Sequence, residues 1–331
     1  MDLDQFFSAI PPAPDGFRSG FVALIGRPNV GKSTLMNYLV GQKVAITSPI
    51  AQTTRNRLRG ILTTSEAQYI FVDTPGIHKP QHQLGEVLVK NARSAIQLVD
   101  LVLFIVDGSV PAGRGDEFIA HLLHQSKTPV ILGLNKIDLQ TPEQSDRLRS
   151  SYLALSQTGN QTENPTRNQT GNPTEKKPWP VVEFSAVNGE GTAPLLEKLA
   201  AQLEPGPYYY PPDLVTDQPE RFIMGELIRE QILCHTREEV PHSVAIAIDF
   251  VEESPTITRV AATIHVERDS QKGILIGKSG QMLKTIGSAA RLQMQKLIEG
   301  QIYLELFVKV QPKWRQSRHR LEELGYRLEE H

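Results

Sequence analysis

The 331 residues, 39% hydrophobic and 22% charged, suffice for about two globular domains, and a net charge of −2 excludes a uniformly basic nucleic-acid binder, so any basic surface has to be local. A single cysteine, Cys234, excludes an intramolecular disulfide framework; inside an apolar helical stretch it reads as a small core residue. No apolar run reaches the roughly eighteen residues of a spanning helix and the start lacks a signal peptide's pattern, so a cytoplasmic protein is expected.

Residues 1–19 carry Phe6, Phe7, Ile10 and a proline-rich run, and are expected to form a disordered extension. From Phe21 the chain alternates short β-rich runs with helical stretches. The runs are Phe21 to Ile25, Tyr69 to Val72, Leu101 to Val106, Val130 to Leu134 and Val181 to Phe184. This alternation predicts an α/β domain over 20–204, with a mostly parallel sheet and helices on both faces. Ligands of such sheets bind at the carboxyl ends of the strands. The polar signatures of this chain all fall there.

Directly after the first run comes Gly26-Arg27-Pro28-Asn29-Val30-Gly31-Lys32-Ser33, followed by Thr34. A chance match to this phosphate-loop pattern in a chain of this length has odds of roughly one in a hundred. Its glycines let backbone N–H groups turn around a phosphate chain, Lys32 adds charge at the β/γ positions, and the Ser33 hydroxyl is a Mg²⁺ ligand. After the second run stands Asp73-Thr74-Pro75-Gly76, where Asp73 reaches Mg²⁺ through water and the Gly76 N–H senses a γ-phosphate. Asn135-Lys136-Ile137-Asp138 follows the fourth run, and the Asp138 carboxylate can accept hydrogen bonds from guanine N1 and N2. After the fifth, Ser185-Ala186 offers a backbone N–H to guanine O6. Each match alone is weak; four in this order imply a GTPase.

Gln52 to Arg59 occupies the place of a nucleotide-sensing segment, and one of Thr53 and Thr54, with Thr54 preferred, is expected to complete the Mg²⁺ shell. Arg55, Arg57 and Arg59 read either as contacts to RNA or transition-state charge, or as solvated arginines of a strand. Ile77 sits where many GTPases carry a glutamine that orients the attacking water. Isoleucine cannot hydrogen-bond water, so slow intrinsic hydrolysis is expected, with His78 a minor candidate to stand in.

A polar eight-residue repeat within 157–178 has no apolar face and reads as a disordered insertion. Residues 205–220 break helix and sheet alike and are taken as a linker; Tyr208, Tyr209 and Tyr210 in it either pack on a domain or stack on bases. Over 221–331 a helix from Phe222 precedes two alternating runs, Val244, Ile246, Ile248, Phe250 and Val260, Ala262, Ile264, Val266. Two helical segments and a third run, Ile302 to Val310, complete a small α+β domain in the order helix, strand, strand, helix, helix, strand. Gly277-Lys278-Ser279-Gly280 is a G-x-x-G turn at which a phosphodiester backbone can approach main-chain N–H groups. Between Arg268 and Arg320 eleven Lys or Arg, among them Lys284 and Lys313, face three acids, which fits RNA phosphates. A solvated basic helix face is the bland alternative.

Taken together, these segments resemble the Era family of bacterial ribosome-assembly GTPases from Gly20 to about Tyr326. The carrying segments are GRPNVGKSTLMN, ITSPIAQTTRNR, FVDTPGIHKP, LNKID and FSA, then YYPPDLVTDQPERF, the IRE at Ile228 to Glu230, VPHSV, ILIGKSG and LELFVKVQPKW. The resemblance implies a C-terminal type II KH domain that binds small-subunit rRNA near its 3′ end and the pre-ribosomal small subunit. It also implies a cytoplasmic monomer with weak peripheral contact at the inner face of the membrane. GTP would be the substrate, with Mg²⁺ on Ser33, Thr54 and Asp73, and Lys32, Thr54, Gly76 and Asn29 in catalysis. Similarity to GTPases with a hydrophobic residue at the Ile77 position implies a K⁺ ion held partly by Asn29, whose other reading is a loop cap. Two further readings stay open: an RNA-binding scaffold with a structural nucleotide, and a GTPase of tRNA modification or large-subunit assembly.

Overall fold

The computed structural model describes residues 10–48, 58–77, 95–157, 178–237, 240–298 and 300–316. Thr54, Arg55, Arg57, His78, residues 1–9, most of the polar repeat, and Arg318 and Arg320 lie outside the described residues. Contacts divide the chain into two compact units, Met1–Gly41 with Arg57–Thr216, and Gln42–Asn56 with Asp217–His331.

The first unit is a six-stranded sheet: β1 (Arg18–Ile25), β2 (Leu58–Thr63), β3 (Ala67–Asp73), β4 (Leu101–Asp107), β5 (Val130–Asn135) and β6 (Val181–Glu183). Their spatial order is β2-β3-β1-β4-β5-β6, parallel throughout except for β2 against β3. The five predicted runs are the five parallel strands. β2 is the addition, an edge strand with Arg59 exposed and buried Gly60 fitted against Met36. Its helices with described bounds include α1 (Lys32–Val40), α2 (Arg114–His124), α3 (Pro142–Gln157) and α4 (Thr192–Gln202). β3 and β4 are apolar almost end to end because both their faces are covered. On one face Val102, Phe104 and Val106 pack with Ile119 and Leu123 of α2, Leu132 and Leu134 of β5, and Tyr152 of α3.

The linker residues after α4 pack on this same unit. Gln68 of β3, wholly buried, accepts the N–H groups of Tyr209 and Tyr210 at 2.8 and 3.0 Å and returns its amide to the Tyr210 carbonyl at 2.9 Å. The Tyr208 ring lies 4.4 Å from that of Phe17, and the Ile61 N–H donates to the Val215 carbonyl at 2.8 Å. Two of the tyrosines thus contribute backbone to a side-chain clamp, the outcome that packing on a domain requires.

The second unit runs α5 (Glu220–His235), β7 (Ala245–Glu253), β8 (Ile257–Val266), α6 (Asp269–Ile276), α7 (Gln281–Met294) and β9 (Gln301–Val310), the predicted order. β8 is central, antiparallel to β7 and parallel to β9. Val260, Ala262, Ile264 and Val266 meet Ile228 and Ile232 of α5 and Ile286 and Ala290 of α7 in one core. Two expectations need correction. Phe250 does not continue the buried face of Ile246 and Ile248, because a bulge between Ile248 and Phe250 inserts one residue and turns Phe250 outward, 47% exposed. Cys234 is exposed rather than in the core, since it follows the buried stretch Met224 to Leu233 on the solvent side of the last turn of α5.

Residues 42–48 belong to the second unit through Glu230, a nearly buried carboxylate on α5. It accepts Lys43 Nζ at 2.5 Å and the Thr47 N–H at 2.8 Å. A buried charge is tolerated only when paired in this way. The neighbouring Arg229, equally buried, is paired with Glu226 at 2.6 Å.

Candidate functional site

The nucleotide signatures converge at the carboxyl ends of β1, β3, β5 and β6. β1 ends at Ile25, and the loop from Gly26 to Gly31 leads into α1 with Gly31 as N-cap at φ 98. A side chain at Gly31 would meet Asn135 Nδ2 at 2.2 Å, so both conformation and space require glycine there. The N-cap offers no side-chain partner, so the first-turn N–H groups and the helix dipole point at whatever the loop encloses. This is the physical basis of an anion site.

Lys32 lies folded within this loop. Its Nζ donates to the carbonyls of Arg27 at 2.9 Å and Gly26 at 3.3 Å. Burial lowers its pKa to about 8 against the opposing pull of the Asp73 carboxylate. A bound phosphate favours the charged amine, so above this pKa nucleotide binding must take up a proton. The sign is therefore falling affinity with rising pH. The expected loss of GDP affinity is about fourfold between pH 7 and pH 8.5. It is measured by titration, and the slope should vanish in Lys32→Met.

Ser33 Oγ donates to Asp73 Oδ2 at 2.6 Å, bringing together two of the three predicted Mg²⁺ residues. A hydroxyl and a carboxylate, both hard oxygen donors, suit that ion. Thr74 Oγ1 donates to the Leu24 carbonyl at 2.9 Å and so ties this segment to β1. Gly76 packs against Pro28, where a Cβ would come within 2.7 Å of the Pro28 nitrogen. Ile77 turns its side chain into the core and donates its N–H to the Gly26 carbonyl at 3.1 Å. Asn29 adopts a left-handed φ of 64, which its short polar side chain tolerates.

At the base end the residues divide by role. Asn135, buried, is a brace: its Nδ2 donates to the Val30 carbonyl at 2.7 Å and its Oδ1 accepts the Ala186 N–H at 2.9 Å. The Ala186 N–H predicted for guanine O6 is therefore one that O6 has to share with Asn135. Lys136, at φ 67, donates to Asp107 Oδ2 at 2.6 Å. Burial works against the Asp107 carboxylate, but the Lys136 and Ser109 hydrogen bonds outweigh it and hold its pKa below the ordinary value. Asp138 alone presents an exposed carboxylate, on the turn Ile137–Leu139. Sequence reasoning missed Asp107, although it ends β4 as Asp73 ends β3.

In the second unit the G-x-x-G turn joins α6 to α7, with Gly277, Ser279 and Gly280 at φ 72, 51 and 77. Gly277 is pressed on Met282, whereas the Cβ position of Gly280 opens to free space. Next to Gly280 lies an open cavity of about 300 Å³ lined by Leu283, Lys284, Gly287, Ser288, Arg291, Leu304 and Leu306. Its apolar floor and basic rim suit an unstacked base and its phosphate. Lys278 and Ser279 are exposed at the turn itself. Lys313 is exposed beyond β9 and is not among the cavity's lining residues. Arg291, seven positions after Lys284, shares its helical face, a spacing legible in the sequence though not used.

A family model described as "50S ribosome-binding GTPase" matches residues 21–136, and one described as "KH domain" matches residues 239–315. The chain is 70% identical over 322 residues to GTPase Era of Nostoc sp. (strain PCC 7120), covering 97% of this chain and 94% of the relative. To GTPase Era of Synechocystis sp. (strain PCC 6803) it is 62% identical over 323 residues, 98% and 97% of the two chains. A crystal structure of Era in complex with MgGDPNP and nucleotides 1506-1542 of 16S ribosomal RNA superimposes with a TM-score of 0.82 at 35% identity, covering 94% of this chain and all of that one. A point variant of Aquifex aeolicus Era bound to GDP.AlF4- matches with a TM-score of 0.81 at 35% identity, with the same coverage.

Proposed function

Because this chain belongs to the Era family of GTPases, we propose that it is a GTP-hydrolysing switch that binds small-subunit rRNA near its 3′ end and assists small-subunit assembly. The observation that carries this reading is the pairing, in one chain, of a guanine-type nucleotide site with a KH groove beside Gly280. The Era complex with MgGDPNP and a 16S rRNA segment supports the same pairing of ligands here.

In this reading the Gly26 to Thr34 backbone cradles the phosphates, Lys32 leaves its carbonyl partners for the β/γ oxygens, and Mg²⁺ is held by Ser33, Asp73 and Thr54. The ion neutralises charge on the transferred phosphoryl group. Asp138 reads guanine N1 and N2, with Ser185 and Ala186 at O6. Gly76 senses the γ-phosphate. Ile77 cannot hydrogen-bond the attacking water, so hydrolysis is slow unless assisted, and Asn29 would hold a K⁺ ion that supplies positive charge as part of that assistance. Gly277, Lys278, Ser279, Gly280 and Lys284 contact RNA, with Lys313 as an outlying phosphate contact.

The domains are 1–19, an extension; 20–204, the GTPase domain with its insertion at 157–178; 205–220, the linker; and 221–331, the KH domain. The protein acts as a cytoplasmic monomer with weak contact at the inner membrane face. Among the described residues no helix is long and apolar enough to cross a membrane. Crosslinking the protein to cellular RNA and sequencing the fragments tests the reading. The expected fragments cluster at the 3′ end of small-subunit rRNA and fall away in a Lys278→Glu, Lys284→Glu variant. Fragments from large-subunit rRNA or tRNA would favour the other GTPase classes instead.

A further inference from the structure

A chain of polar contacts that no signature predicts runs through the first unit. At the phosphate loop Arg27 Nε donates to Asp116 Oδ1 at 2.7 Å. Asp116, fully buried in the first turn of α2, also accepts the Gly113 N–H at 3.0 Å. At the base end Lys136 is held by Asp107, which also accepts the Ser109 hydroxyl at 2.6 Å. Tyr152 of α3, without solvent exposure, stands between the two ends. Its hydroxyl donates to the Asp107 main-chain carbonyl at 2.9 Å and also interacts with the Arg27 guanidinium.

The Tyr152 ring belongs to the core with Ile119 and Leu134, and a phenylalanine would fill that space equally well. What the hydroxyl adds is the connection. Burial, reinforced by the Asp116 carboxylate, raises the phenol's pKa above its ordinary value, so it stays a neutral donor. Arg27 and Lys136 flank opposite ends of the nucleotide: the Arg27 carbonyl receives Lys32, and Lys136 is two residues from Asp138. Tyr152 thus has a polar partner toward each of these two ends.

We propose that Tyr152 is a positioning residue that ties the phosphate end of the nucleotide site to its base end, through Arg27 and Asp116 on one side and Asp107 and Lys136 on the other. The proposal rests on the reading of Lys136 and Asp138 as base-binding residues.

The test is a set of GDP dissociation constants on the full chain for Arg27→Met, Asp107→Asn and the double variant, each with Tyr152 and with Tyr152→Phe. With Tyr152 present, the two losses should depart from simple multiplication by about threefold or more; with Tyr152→Phe they should multiply. Tyr152→Phe alone should weaken GDP by about threefold to tenfold, the scale of one hydrogen bond, with an unchanged circular dichroism spectrum. Multiplicative losses in the Tyr152 protein overturn the proposal, and that arm stands even if Tyr152→Phe fails to fold. Unchanged GDP affinity in folded Tyr152→Phe overturns it as well. ADP titration of the unmodified protein separates the two claims. Equal ADP and GDP affinity overturns the base reading and this proposal with it, whereas guanine preference with multiplicative losses overturns this proposal alone.

Discussion

Asp138→Asn should weaken GTP by about a hundredfold or more and move preference toward XTP. In the proposed reading the carboxylate accepts from guanine N1–H and from the exocyclic N2 amine. An asparagine amide facing the same edge places a donor where guanine has one, leaving both polar groups desolvated and unpaired. Xanthine carries a carbonyl at that carbon and restores the match. Because Asp138 is exposed on a short turn, the substitution should leave the fold untouched. Asn135 is a different case: it braces Val30 and Ala186, so its loss would disturb the loop and confuse the result. Competitive displacement of a fluorescent GDP by GDP and XDP reads the effect. Unchanged GTP binding would refute the assignment of this carboxylate.

Lys32→Ala should remove multiple-turnover hydrolysis, lowering the rate by about a hundredfold to a thousandfold, as expected when one preorganised charge is withdrawn from the transferring phosphoryl group. Lys32 is buried and held by two loop carbonyls, with Ser33 and Asp73 beside it. Phosphate release measured in potassium buffer with saturating GTP is the assay. Persistence of full turnover in the variant would mean that the rate comes from elsewhere, and complete absence of turnover in the unmodified protein would favour the scaffold with a structural nucleotide. The same assay in sodium buffer tests the K⁺ ion at Asn29, whose involvement predicts a slower rate there.

What could be read from the sequence was whatever chemistry fixes at short range. A phosphate loop needs glycines at set offsets after a strand, and Asp73, Asn135 and Ser185 follow apolar runs at once; all of these positions meet at the strand ends in the structure. Three-dimensional partners were not legible in the same way. Arg27 and Asp116 are 89 residues apart, and nothing in the composition of either segment announces the pair. Glu230 looked like one acid in a family signature, and only the fold shows that it holds Lys43 and Thr47. Periodicity failed at Phe250 because a bulge adds one residue without any compositional mark, and every alternation count past it reverses face. It failed at Cys234 because apolar neighbours say nothing about where the final helical turn meets solvent. Gln68 was invisible for a third reason: a polar residue in a buried strand reads as an exception until its three partners on Tyr209 and Tyr210 are seen.

If the protein is a switch of this kind, nucleotide and RNA binding are coupled. Binding free energies must then be reciprocal, whatever path joins the sites. The direct measurement is the affinity for a non-hydrolysable GTP analogue with and without an RNA carrying the 3′ end of the small-subunit rRNA, together with the RNA affinity with and without the analogue. The same factor is expected in both directions, about fivefold or larger. Affinities identical with and without the second ligand would contradict it.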